Sequence, residues 1–143
     1  MRYPEEMVTP FRQEMVQMGF EELRSPEQVK SAVASGGTVL TFINSVCGCA
    51  GGIARPGLAL ALGHERRPDK LTTTFAGMDL DATEYVRGLY PEYPPSSPQA
   101  ALFKDGKAVE VIQRHQIEGT TPEAFAGLLT RAFDQHCRSG STA

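Results

Sequence analysis

Thr38-Val-Leu-Thr-Phe-Ile-Asn-Ser-Val-Cys-Gly-Cys-Ala50 is the stretch that decides how this chain folds. Its first six residues, Thr38 to Ile43, form an apolar, β-branched run of strand length. Two thiols one residue apart, Cys47 and Cys49, come next, and a Gly/Ala/Leu-rich stretch from Ala50 to Leu62 takes over. The pattern predicts a buried strand that delivers a cysteine to the first turn of a helix. There the unpaired backbone N–H groups and the positive end of the helix dipole favour thiolate over thiol. Cysteines so placed have pKa values from roughly 3.5 to 7.5, against about 8.5 when free. Thiol–disulfide chemistry is therefore the first function to consider.

Upstream of this stretch, Thr9-Pro10 predicts a cap followed by proline at the first helical position, with Phe11, Met15 and Met18 at helical spacing. Phe20 to Leu23 is expected to be a short edge strand. Ser25-Pro-Glu-Gln28 has capping-box spacing and opens a helix through Val29 and Val33, ended by Gly36-Gly37. Downstream, Leu71-Thr-Thr-Thr-Phe-Ala76 reads as a second strand, and Asp81-Ala-Thr-Glu84 starts a helix to about Tyr90. Two strand-like runs, Ala100 to Lys104 and Ala108 to Ile112, flank Asp105-Gly106, a hairpin signal. Thr121-Pro122 opens a last helix whose apolar face is Phe125, Leu128, Leu129, Ala132 and Phe133. Alternating strands and helices in the middle require parallel crossovers, and the late hairpin adds an antiparallel edge. The expected architecture is a three-layer α/β/α domain over residues 1–143, with a central mixed sheet and an N-terminal helical extension over residues 1–20.

A chain of 143 residues with 41% hydrophobic content has room for one globular core. A net charge of −3 gives no electrostatic grip on nucleic acid or an anionic membrane. Met1 to Glu6 carry two acids and a proline where a signal peptide needs its apolar run, and no stretch approaches the roughly 18 apolar residues of a membrane span. The expected location is the cytoplasm. Three cysteines, two nearly adjacent, do not make a secreted disulfide framework; in a reducing compartment such a pair is catalytic or metal-binding. A closed zinc site wants four ligands. The other soft or imidazole ligands, Cys137, His64, His115 and His136, are not at paired spacing with the thiols. No bound metal is expected, although a metal-carrier role for the Cys-x-Cys pair stays open as an alternative. No Asp, Glu, Lys or Arg lies between Thr38 and Ala54. Thiolate stabilisation must then come from backbone N–H groups and the helix end, unless a residue distant in sequence folds in.

The element order resembles the thioredoxin fold preceded by an extra helix, and Pro98-Gln-Ala-Ala-Leu-Phe-Lys-Asp-Gly106 sharpens the likeness. The resemblance implies that Pro98, after Ser97, is a cis-proline facing the cysteines. Thioredoxins carry Cys-x-x-Cys where this chain has Cys-x-Cys. Residues i and i+2 of a helix do not face each other. Cys47 is therefore expected before the regular helix, with Gly48 supplying backbone freedom to turn one sulfur toward the other. A disulfide closed in so small a ring is expected to be strained and easily reduced.

Asn44-Ser-Val-Cys-Gly-Cys-Ala50, Ala54-Arg-Pro56, Phe75-Ala-Gly77, Pro95-Ser-Ser-Pro98, Arg114-His115, Ile117-Glu-Gly119 and Phe133-Asp-Gln-His-Cys137 resemble the bacilliredoxins. This resemblance implies a bacterial cytoplasmic thiol–disulfide oxidoreductase that removes bacillithiol, a small thiol co-substrate, from mixed disulfides on client proteins. It implies that Cys47 attacks and that Cys49, or a second small thiol, resolves, with Cys47 expected to be the exposed, low-pKa thiol and Cys49 the less accessible one; a disulfide isomerase is the runner-up. Three further residues are possible substrate contacts: Arg55, weighed against a solvated helix position, and Arg114 and His115, weighed against an ordinary surface site. Cys137 is expected to be an exposed, incidental thiol away from the active edge.

Overall fold

A computed structural model of the chain describes residues 3–137. Five strands form one sheet: β1 (Glu21–Glu22), β2 (Thr38–Asn44), β3 (Lys70–Phe75), β4 (Gln99–Lys104) and β5 (Lys107–Ile112), in the order β1-β3-β2-β4-β5. β2 is buried over its whole length because both of its edges and both of its faces are covered. It pairs in parallel with β3 and antiparallel with β4, which makes the sheet mixed as expected. The β4–β5 hairpin turns at Asp105 and Gly106, with φ of 50° and 86°, the left-handed pair that matches the twist of flanking strands.

The helices are α1 (Glu5–Gln17), α2 (Pro26–Ala34), α3 (Arg55–Ala61), α4 (Leu80–Gly88), α5 (Arg114–Ile117) and α6 (Pro122–His136). Among the described residues none is long and apolar enough to cross a membrane. Successive strand residues point to opposite faces, and the core divides accordingly. Leu40, Phe42, Ala100, Leu102 and Ile112 face Met15 of α1, Leu58 and Ala61 of α3, and Phe125, Leu129 and Phe133 of α6. Val39, Ile43, Ala101, Phe103 and Val111 face Val29 and Val33 of α2 and Ala82 and Val86 of α4. The α/β/α layering follows from this alternation. α3 and α6 approach so closely that a Cβ on Gly57 would lie 2.7 Å from the Phe125 ring and 2.9 Å from the Pro122 carbonyl oxygen.

Two helix starts differ from the sequence reading. α1 begins at Glu5, not at Pro10, which lies inside the helix. Glu5 and Glu6 in the first turn suit the positive helix end. Thr9 Oγ1 donates to Glu5 O at 2.9 Å instead of capping, and Pro10 is exposed, so the bond it cannot make is lost to water. α4 starts after Asp79, two residues before Asp81, which sits in the first turn; the Asp79 side chain does not cap the helix. The Asp79 carboxylate accepts from the Phe75 backbone N–H at 3.0 Å and from both Nη atoms of Arg12 at 2.9 and 3.0 Å. Arg12 is buried and also bonds Glu5, so α1 is fastened to the end of β3 by charged hydrogen bonds. Ser25 does cap α2, accepting from Gln28 N at 3.2 Å, while the Gln28 side chain accepts from Arg24 N one residue beyond the capping-box position. The four-residue helix α5 after β5 has no counterpart in the sequence reading.

Candidate active site

The site lies where β2 and β3 end and β4 begins. β2 stops at Asn44, and its side chain organises the turn that follows. Asn44 Oδ1 accepts from the Ser45 backbone N–H and from Arg55 Nη1, each at 2.9 Å; Asn44 Nδ2 donates to Phe11 O of α1 at 3.2 Å. Ser45 Oγ then accepts from the Cys47 backbone N–H at 3.3 Å. Val46 packs on the apolar group of Val8, Phe11, Phe75 and Met78. Cys47 ends the turn, helical backbone begins at Gly48, and the Ala50 N–H donates to Cys47 O at 3.1 Å.

The helix then widens into a π-turn over Ala50–Ala54, in which Arg55 N donates to Ala50 O. The widening falls where Pro56 enters, a residue with no N–H and a ring that clashes with the carbonyl four residues back. Arg55 is thereby directed inward: it is buried, it donates to Asn44 Oδ1, Ser45 O (3.2 Å) and Glu14 (3.0 Å), and it stacks 4.6 Å over the Phe11 ring. A Cβ on Gly51 would lie 2.9 Å from the Arg55 guanidinium, so this glycine makes room for it.

The two sulfurs lie 2.9 Å apart, both thiols free and both half-buried. Their titrations diverge. Burial raises both, but at Cys47 hydrogen bonds from the Cys49 thiol, from Ser45 and from the Ala50 N–H, with the positive field of Arg114, outweigh it and hold the pKa below the ordinary thiol value. At Cys49 burial is reinforced by the neighbouring Cys47 thiolate, and the pKa is pushed up in spite of Arg114. Cys47 is thus the first of the pair to lose its proton, and Cys49, 2.9 Å away, the one that holds its proton to higher pH.

Opposite them is the loop before β4. The Ser97–Pro98 peptide bond is cis. The β2–β4 register, Ile43 against Gln99, puts Pro98 at the next position along, level with Asn44. A buried polar network holds the loop: Tyr90 Oη donates to Gln99 Oε1 at 2.9 Å, and Gln113 Oε1 accepts from Gln99 Nε2 at 2.8 Å and from Ser96 Oγ at 2.9 Å. Arg114 follows Gln113 and donates from Nη1 to Ser97 O at 3.2 Å, from Nη2 to Glu118 at 3.2 Å, and from its backbone N–H to Ser96 Oγ at 3.3 Å.

Cys47, Cys49, Pro98, Ser97 and Arg114 thus converge. Arg55 does not face outward; it lies behind the turn as a buried support, against the solvated or substrate-facing position expected of it, because Glu14, 41 positions earlier, is folded beside it. Gly48 avoids the left-handed region, and a Cβ there would meet nothing within 4 Å beyond its chain neighbours, so the turn does not need glycine's freedom. His115 is exposed on α5 and is not among the groups that shift either thiol. The accessibility contrast expected between the cysteines is absent. Cys137 is buried, not exposed, with burial raising its pKa, because α6 carries it into the core. Among the described residues no group of three or more His, Cys, Asp or Glu side chains could hold a metal ion. The residues that sequence reasoning missed are Asn44, Ser45, Gln99 and Gln113; the Asn-Ser pair between strand and thiols was the one available signal, since such side chains bond nearby backbone at turns.

Residues 3–137 match the family described as disulphide isomerase. A bacilliredoxin of Geobacillus kaustophilus is 51% identical over 132 residues, spanning 92% of this chain and 91% of its own. A bacilliredoxin of Shouchella clausii is 47% identical over 137 residues, spanning 95% and 94%. Among solved structures, the oxidised thioredoxin of Plasmodium falciparum is similar with a TM-score of 0.56 over 82% of this chain and 97% of its own; at 16% identity this is a likeness of fold. With a thioredoxin-type sheet, a cis-proline and a thiol pair at the end of β2, the chain belongs to the bacilliredoxin family and is a thiol–disulfide oxidoreductase.

Proposed function

We propose that this protein removes bacillithiol from mixed disulfides on client proteins in a bacterial cytoplasm, with Cys47 as nucleophile and Cys49 as resolving thiol. The Cys47 thiolate attacks the bacillithiol sulfur. A disulfide forms between Cys47 and bacillithiol as the client–bacillithiol bond breaks, and the client cysteine leaves as thiolate, taking up a proton. Cys49 then loses its proton and attacks Cys47, releasing bacillithiol and leaving a Cys47–Cys49 disulfide. Alternatively, a second bacillithiol attacks the bacillithiol sulfur on Cys47, regenerating the Cys47 thiolate and leaving oxidised bacillithiol. Each step moves a disulfide without net oxidation.

The observation that carries the reading is the divergence of the two thiols across a 2.9 Å contact, which supplies a nucleophile and a waiting proton donor side by side. The bacilliredoxin names of the relatives point to the small thiol. A second reading, disulfide isomerisation, is favoured by the description of the matching family. One client protein, offered bacillithiol-modified or with an internal disulfide to a Cys49→Ser variant, separates them. Bacillithiol captured on Cys47 with release of the client is the expected result. No capture, with the wild type efficiently reshuffling internal disulfides, overturns it in favour of the isomerase.

A further inference from the structure

β4 is paired on both edges, by β2 and β5, but both ladders stop short of Ser97: the last pairs are Ile43 with Gln99 and Ile112 with Ala100. The Ser97 carbonyl is therefore the acceptor that an extended client segment, laid beside the thiols as an added strand, would use for its own N–H. One of its two acceptor positions is already taken. Arg114 Nη1 donates to it at 3.2 Å, and the Arg114 backbone N–H is itself tied to Ser96 Oγ. The side chain is 40% exposed, and its other partner, Glu118, is 58% exposed. Such an exposed pair is weak and readily exchanged for another carboxylate. The guanidinium also lies close enough to act electrostatically on both thiols.

We infer that Arg114 is a specificity-determining residue: by capping the Ser97 carbonyl it disfavours strand-like docking of peptide disulfides, and by offering its outer N–H groups to a carboxylate it favours mixed disulfides of small anionic thiols. An incoming peptide must share the carbonyl with the arginine or displace it, whereas a small acid-bearing thiol has only to replace Glu118. This rests on Cys47 being the exchanging thiol, but not on which small thiol is carried.

The test compares wild type, Arg114→Ala and Arg114→Lys as reduced proteins against three disulfides: glutathione disulfide, which bears carboxylates; 2-hydroxyethyl disulfide, which is neutral; and a disulfide-bridged peptide of zero net charge. Rate constants are read on the high-pH plateau of Cys47 ionisation, so that a change in thiolate fraction drops out. For Arg114→Ala the glutathione-to-hydroxyethyl ratio is expected to fall about 1.5- to 5-fold, the size of an exposed charge contact, while the peptide-to-hydroxyethyl ratio rises. Arg114→Lys keeps most of the anion preference, and added salt erodes it in wild type. A common drop on all three disulfides, or a peptide ratio that stays level or falls, overturns the inference. A Cys47→Ser variant that still exchanges at the wild-type rate would instead overturn the reading on which it rests.

Discussion

Strand β2 has a thiol near each end, and the two environments are opposites. Beyond Asn44, Cys47 is half-buried, its sulfur lies 2.9 Å from that of Cys49, and Ser45 and the Ala50 N–H help to lower its pKa against burial. Beside Thr38, Cys137 is 4% exposed beneath the end of α6. Burial pushes its pKa up, and the neighbouring Thr38 hydroxyl does not offset it. The polar groups at that end are directed at one another: Asp69 accepts from both Thr38 N and Thr38 Oγ1, and Arg66 donates to the Cys137 carbonyl rather than to its sulfur. Burial opposes the thiolate at both ends. What separates the lowered thiol from the raised one here is the set of donors around the sulfur.

Replacing each cysteine by serine should break the comparison most visibly. Cys47→Ser is expected to lose disulfide exchange by roughly a thousandfold or more, as when a nucleophile is removed outright. Cys137→Ser should exchange at the wild-type rate yet unfold more easily in urea, by about 1–2 kcal/mol, for placing a hydroxyl in the core. Full exchange in the first, or lost exchange in the folded second, would reverse the assignment.

The next largest effect belongs to the support behind the turn. Arg55→Met keeps much of the volume but strips Asn44 Oδ1 and Ser45 O of a buried donor. The ion pair with half-exposed Glu14 adds little, so the expected destabilisation is about 2–3 kcal/mol, with Cys47 ionising at higher pH as Ser45 loosens. Gly51→Ala crowds the same guanidinium and should shift both quantities the same way, with a cost of about 1 kcal/mol. Denaturant melts and pH-dependent alkylation measure both. An Arg55→Met variant as stable as wild type would mean that the turn holds itself.

How much of this was legible follows from the range of each interaction. β2, the Asp105-Gly106 hairpin and the Thr121 cap are set by neighbours in sequence, and the structure has them where the pattern put them. The start of α1 was misread because Thr9-Pro10 is a local signal that the burial of Val8, Arg12 and Met15 overrides. The inward Arg55 and the buried Cys137 depend on Glu14, α1 and the closing of α6, none of which spacing around the thiols encodes. Arg114 reaches the site only because β5 ends beside the loop before β4. The sequence did show that the motif lacked its own cation, which left backbone N–H groups and the helix end to favour the thiolate unless a distant residue folded in.

The smallest expected effect is Ser45→Ala: one hydrogen bond to the thiolate is lost, and exchange at neutral pH falls severalfold, with stability changed by less than about 1 kcal/mol. Stability against pH should carry the same contrast. Between the lowered Cys47 pKa and the ordinary thiol value the unfolded chain binds more protons, so Cys47 makes stability rise with pH there. Above the ordinary value, Cys137 stays protonated in the fold and makes stability fall. Unfolding free energies of wild type, Cys47→Ser and Cys137→Ala across pH separate the two slopes.

The most direct test of the donor-aim account is site-resolved alkylation of the reduced wild-type protein across pH, followed by mass spectrometry of the Cys47 and Cys49 adducts. The account predicts that Cys47 reacts with a midpoint below that of a free thiol and Cys49 with a midpoint above it. Equal midpoints at the free-thiol value, or Cys49 reacting at the lower pH, would contradict it.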